Sequence, residues 1–244
     1  LRNGHALATR WLGVGLASVI AVVTVSLALT DRLGLYINPD STWFAVGMSI
    51  VVLVGAVASF LLPLGAEEDA PDHPHTHTPT RAGLVATVIG GVTASAIALA
   101  MLFLPPASLS AELAISRDVG APPLFAGADV VQLAASGNTE SFGVGEWSAV
   151  FATTTNPEAF DGSEVTLTGF VTPGEDFALT RLVITHCVID AQPASVPITA
   201  VSDVPDTGQW VTVTGVVRAS TDGRLTIEAS DLALIDEPAD PYEY

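Results

Sequence analysis

Three long apolar runs, Trp11–Thr30, Trp43–Leu64 and Ala82–Leu104, fill most of the first 106 residues, and none contains Asp, Glu, Lys, Arg or His. Each is close to the ~20 residues that an α-helix needs to cross a bilayer. Water is absent at that depth, so only a structure that bonds its own backbone is viable there. A core helix of that length in a soluble protein would show a polar face. The pattern therefore predicts a transmembrane region over residues 1–106, with helices at about 11–30, 43–64 and 82–104. A cleaved signal is the competing reading of the first run, which is longer than the roughly 7–15 residues of a signal core. Trp11 and Trp43 each open a run and Tyr36 lies between the first two, as amphipathic rings do at the headgroup level. With no ionisable residue inside any run, these helices by themselves offer no proton or ion path.

Beyond Pro105-Pro106 the pattern changes to alternation of apolar and polar positions, with no further run of membrane length. Residues 107–160 read as a connector and lead-in, with a short helix at Gly145–Phe151 packing Trp147 and Phe151. Residues 161–244 read as a mainly-β domain. Its strands are expected at Glu164–Val171, Ala178–Cys187, Pro197–Val201, Trp210–Arg218 and Leu225–Ile235, with turns at Pro173-Gly174 and Thr221-Asp222-Gly223. Two strands carry nearly one string, VTLTGFV from Val165 and VTVTGVV from Val211, each with an interior glycine. Such a glycine marks a bulge or a sharp bend, and a five-stranded barrel with corners of that kind is OB-like. The expected fold class is thus an α+β membrane protein, with three N-terminal transmembrane helices and an OB-like five-stranded barrel, a small open β-sandwich being the alternative to the barrel.

Charge narrows the function and sets an orientation. The formal net charge is −18, the chain has no Lys, and the acid sits mainly beyond residue 106, which argues against nucleic acid as a partner. Arg2, Arg10 and Arg81 fall on one side of a three-span arrangement and Arg32 and Arg117 on the other. The positive-inside rule then places the N-terminus in the cytoplasm and the β domain outside it.

Two places could carry chemistry. The first is the loop at residues 65–81, where His73, His75 and His77 follow Glu67, Glu68, Asp69 and Asp72. Short His-rich tracts of this kind bind Zn or another divalent transition metal; the alternative is a solvated, extended loop. The second is Thr185-His186-Cys187-Val188-Ile189-Asp190, expected at the end of the second barrel strand. His186, Cys187 and Asp190 are candidate metal ligands there, and Cys187 is the single cysteine of the chain. Adjacent residues on a strand face opposite sides, so His186 and Cys187 share an ion only where the strand ends or bulges. No phosphate loop or Ser/His/Asp signature is present, and the expectation is a chain without enzymatic activity of its own.

Taken in order, several strings make a family resemblance. They are LYINP at Leu35–Pro39, the His-rich loop, LPPASLSAELAISRDVG at Leu104–Gly120, LTGFV at Leu167–Val171, RLVITHCVIDAQPASVPI at Arg181–Ile198, QWVTVTGVV at Gln209–Val217 and the final PYEY. The sequence resembles a bacterial family described as permease subunits, small membrane proteins that accompany a separate multi-pass permease. The resemblance implies an accessory subunit in the bacterial cell membrane, whose extracytoplasmic domain receives or gates a solute. Relatives often carry paired cysteines where this chain has His186-Cys187, which weakens a dithiol redox role and still permits metal binding. The metal itself is suggested by the residues, not by the resemblance. Two other readings stay open: a membrane-anchored OB-like scaffold without a ligand, and a thiol enzyme or redox sensor centred on Cys187.

Overall fold

The structure is a computed structural model that describes residues 2–59, 81–103, 109, 111–116, 139 and 141–244. Contacts divide the chain into two compact units, one of residues 1–34 and 39–106 and the other of residues 35–38 and 107–244.

The first unit holds helices α1 (Arg2–Leu29), α2 (Thr42–Ser59) and α3 (Arg81–Phe103). At the end of α1, Asp31 adopts a left-handed conformation at φ 54°, and the Arg32 N–H closes back on the Leu27 carbonyl at 2.9 Å. A short polar residue tolerates that conformation and stops the helix. A 3₁₀ turn at Pro39–Ser41 leads into α2. Together they form one helical stretch, Pro39–Ser59, of 21 residues with an apolar window of mean hydropathy 2.0, long and apolar enough to cross a membrane. Hydroxyl groups along these helices bond inward, Ser18 to the Val14 carbonyl at 2.8 Å and Ser49 to the Ala45 carbonyl at 2.8 Å.

The second unit is built on a closed, OB-like five-stranded barrel of β1 (Glu164–Thr172), β2 (Phe177–Val183), β3 (Gln192–Thr199), β4 (Trp210–Ala219) and β5 (Leu225–Leu234). The strand order is β1-β4-β5-β3-β2, and pairing of β1 with β2 closes the ring. The two similar strings are direct antiparallel partners, with Val165 opposite Gly215, Leu167 opposite Val213 and Gly169 opposite Val211. Each glycine lies where the sheet coils tightly. A Cβ on Gly169 would stand 2.6 Å from the Thr180 carbonyl oxygen of β2, and one on Gly215 would strike the Glu228 carbonyl of β5. Gly215 also follows the register shift between Thr214 and Gly215, the bulge that its sequence context predicts.

Inside, Leu167, Val171, Leu179, Val196, Ile198, Val213 and Ile227 fill the barrel. Helix α4 (Ala111–Ser116) precedes it. Helix α5 (Val144–Thr153) packs on β3 and β2, and its Trp147, 1 % exposed, meets Phe142, Phe151 and Phe160 edge-on with centroids 5.8, 6.0 and 6.3 Å away. The expected lead-in helix at Gly145–Phe151 is the middle of α5.

Two strand expectations need correction, and one strand has no counterpart among them. β2 stops at Val183, so residues 184–187 are not strand. β3 starts at Gln192 despite Pro193 and Pro197. The Ser195 N–H, on the same edge as those two ring nitrogens, points away from β2 to the Ser148 hydroxyl of α5 at 3.3 Å. The prolines thus lose no bond to β2, because their missing N–H groups fall on the opposite edge of β3. Last, a short strand β6 (Tyr242–Glu243) runs parallel to β2, with Leu182 opposite Tyr242.

Gly169→Val and Gly215→Val are each expected to lower the unfolding free energy by about 1–3 kcal/mol through overpacking against a backbone carbonyl. Thr221→Ser, in an exposed turn, should change it by less than about 0.5 kcal/mol. Urea denaturation followed by tryptophan fluorescence reads both.

Candidate functional site

The segment Ile184–Ala191 connects β2 to β3 and is organised by one carboxylate. Asp190 Oδ1 accepts the Thr185 N–H at 3.1 Å, and Oδ2 accepts the His186 N–H at 2.9 Å and the Cys187 N–H at 3.2 Å. The Asp190 N–H closes a 3₁₀ turn on the Cys187 carbonyl at 2.9 Å. Three backbone donors converge because the strand has ended and the chain turns about the side chain that accepts them. The His186 ring adds a fourth contact, with Nδ1 3.2 Å from Oδ2. Burial pulls the Asp190 pKa upward, but the N–H groups of Cys187, His186 and Thr185 and the His186 ring outweigh it and hold the carboxyl below its ordinary value of 3.8.

A second strand of chain holds this loop from outside. Leu35–Asn38, the link between α1 and α2, belongs to the barrel's own compact unit. Ile37 and Cys187 form an antiparallel bridge, flanked by the Asn38 N–H on the His186 carbonyl at 3.0 Å and the Val188 N–H on the Tyr36 carbonyl at 2.8 Å. The Asn38 side-chain amide donates to the Thr185 carbonyl at 3.0 Å. Beneath, Leu35 joins the apolar cluster of Phe170, Leu182, Ile184, Ala191 and Tyr242. The LYINP string is thus a clamp on the THCVID string. Neither string points to the other by its own composition.

The structure brings two of the proposed ligands, His186 and Asp190, into contact. His186 is 82 % exposed at its side chain and paired to Asp190. Cys187 is partly buried, with extended backbone at φ −153° and ψ 166°. Asp190 commits its oxygens to the backbone. Among the described residues, no three His, Cys, Asp or Glu side chains gather as a metal-binding group. His73, His75 and His77 lie outside the described residues.

Two polar devices elsewhere in the unit have no local signature in the sequence. The Arg181 guanidinium donates to the carbonyl oxygens of Thr168, Asp240, Pro241 and Tyr242 at 3.2, 2.6, 3.3 and 3.2 Å. It also lies 5.5 Å from the Trp210 ring centroid. The Glu243 carboxylate caps α5, accepting the Val144 N–H at 2.9 Å and the Gly145 N–H at 2.6 Å. Burial raises its pKa, opposed by those two N–H groups and Arg181.

Ile37→Cys should form a disulfide with the native Cys187 under mild oxidation. The pair sits between two hydrogen bonds, a site where Cα atoms approach to about 4.5 Å. A non-reducing gel after proteolysis checks it. The Asp190 carboxyl is lowered in the fold, so its stabilisation is present above its unfolded pKa and is lost as pH falls through the folded value. Below pH 3.8 the wild type should therefore lose melting temperature more steeply than Asp190→Asn, which starts lower at neutral pH.

No characterised protein matches the chain. Residues 147–244, from Trp147 of α5 through the barrel to β6, match the DUF1980 C-terminal domain, a bacterial family of unknown function.

Proposed function

We infer that this chain is the accessory subunit of a two-component permease system. It is anchored in the bacterial cell membrane by its helices, carries the OB-like barrel on the extracytoplasmic side, and serves the handling of a divalent transition metal. Its partners on this reading are the lipid bilayer and a multi-pass permease.

The observation that carries the membrane reading is the clamp at Leu35–Asn38. These residues precede α2, yet they pair with a loop of the barrel that follows α3. The number of membrane crossings between them must be even. Only 6 % of the apolar window in Pro39–Ser59 is buried, which suits lipid and not a soluble core. Large apolar side chains such as Trp43, Val54 and Val57 are exposed along it. If α2 crosses, a second segment must return the chain, and α3 has 23 residues with no ionisable side chain after Arg81. The inward bonds of Ser18 and Ser49 satisfy hydroxyls in a medium without water. The arginine distribution supports placing the clamp and the barrel outside, with His73, His75 and His77 in the cytoplasm.

Cysteine labelling of the full chain in cells tests this, in a Cys187→Ser background. Ile189→Cys, on a side chain 83 % exposed, should react with a membrane-impermeant maleimide in intact cells, and Thr78→Cys only after lysis. The reverse pattern would overturn the orientation, and a chain extracted without detergent would overturn the membrane anchor. Failure to co-purify with a multi-pass membrane protein at wild-type expression would remove the permease partnership.

A further inference from the structure

Although β1 and β2 close the barrel, one of its strands keeps a bare edge. β5 pairs with β4 from Leu225 to Leu234, but β3 meets it only at Ile227 and Glu228. β3 ends at Thr199, and Ala200 takes a left-handed backbone at φ 66°, which turns the chain out of the sheet. The connection to β4 and the second half of β5 then line a groove of about 590 Å³, with Asp203, Val204 and Asp206 on the loop and Asp231, Leu232 and Leu234 on the strand. The backbone of this half-strand has a fixed phase. The Ile235 N–H donates to the Trp210 carbonyl at 3.0 Å, and along an antiparallel pair such residues alternate. Ala233 and Asp231, opposite Thr212 and Thr214, therefore also bond toward β4. The N–H and C=O groups of Leu232 and Leu234 turn to the other edge, where among the described residues no strand pairs with them. Apolar surface accompanies them, with Leu234 64 % and Val204 52 % exposed.

We propose that the edge of β5 over residues 229–234 is a docking site for an extended, basic segment of a partner protein, which adds to the barrel as a further strand. An open strand edge supplies backbone hydrogen bonds to such a segment, and flanking side chains choose its sequence. The choice here is made by charge. Asp203, Asp206 and Asp231 line the groove, and among the described residues the ion pairs involve other carboxylates. Arginine or lysine at alternate positions of the added strand neutralises them, and the residues between cover Leu234 and Val204. A second copy of this chain is a poor occupant, because at a net charge of −18 it would set carboxylate against carboxylate. The edge belongs to the barrel alone, so the inference does not rest on the permease partnership or on the metal.

Hydrogen exchange of the full-length protein in detergent, read by mass spectrometry with residue resolution, tests the proposal. The probe is a synthetic peptide of about eight residues, a usual strand length, that alternates valine and arginine. Without it, the Leu232 and Leu234 amides should exchange faster than those of Asp231 and Ala233, and with it they should slow. Two N-methylated forms of the peptide, each blocking one set of alternate amides, should differ, one keeping the protection and the other losing it. Replacing arginine by glutamate should abolish protection, and the triple variant Asp203→Asn, Asp206→Asn, Asp231→Asn should weaken binding about tenfold. Absence of binding, protection lying elsewhere, or equal binding of the two N-methylated forms, which marks charge attraction without strand pairing, would overturn the proposal. Protection of residues 229–234 that grows with protein concentration and needs no peptide would also overturn it, by giving the edge to a second copy.

Discussion

One carboxylate, that of Asp190, organises the part of the molecule on which its functional readings depend. By collecting the N–H groups of Thr185, His186 and Cys187 it ends β2 as a tight loop. It also leaves the His186 carbonyl and the Val188 N–H free to pair with Asn38 and Tyr36. A strand continuing to Cys187 would have sent those groups to its neighbours in the sheet. The link between the first two helices would then have found no complementary edge. The same carboxylate orients the His186 ring. Loop shape, clamp and imidazole direction thus have one physical origin.

Hydrogen bonds set the register of the clamp, and apolar burial holds it in place. Each neutral hydrogen bond contributes about 0.5–1.5 kcal/mol net, whereas burying a leucine or isoleucine side chain contributes roughly 1.5–3 kcal/mol. The clamp's three hydrogen bonds and the packing of Leu35 against the cluster of Phe170, Leu182, Ile184, Ala191 and Tyr242 therefore contribute comparably. The segment around β6 is held by the same division of labour. Tyr242 enters that cluster, while Arg181 gathers carbonyls of residues 240–242. Glu243 reaches across to the start of α5, where a carboxylate meets unpaired N–H groups and the positive end of the helix dipole.

Much of the barrel is legible in local pattern. Alternation marks β1, β4 and β5 almost to the residue, and the interior glycines of two similar strings announce tight coiling, since only a residue without a Cβ admits the Thr180 and Glu228 carbonyls. The misreadings share a cause. β2 reads through to Cys187 because Ile184-Thr-His-Cys keeps an apolar and polar rhythm, and nothing local signals that Asp190 folds back to cap it. β3 reads short because proline is a breaker unless its open edge is known. β6 is too short to show a period at all.

The two-part organisation, the length and charge-free character of the apolar runs within the helices, and the inward faces of the barrel strands follow from the amino-acid order alone. Those properties are carried by consecutive residues, whose periodicity dictates which face is buried. The pairing of Leu35–Asn38 with the His186 loop, across about 150 residues of chain, depends instead on how the folded chain brings distant segments together. So do the roles of Asp190 and Cys187. A carboxylate three residues from a cysteine has the same composition whether it binds a metal or its own backbone, and only where the strand ends determines which of these the geometry allows.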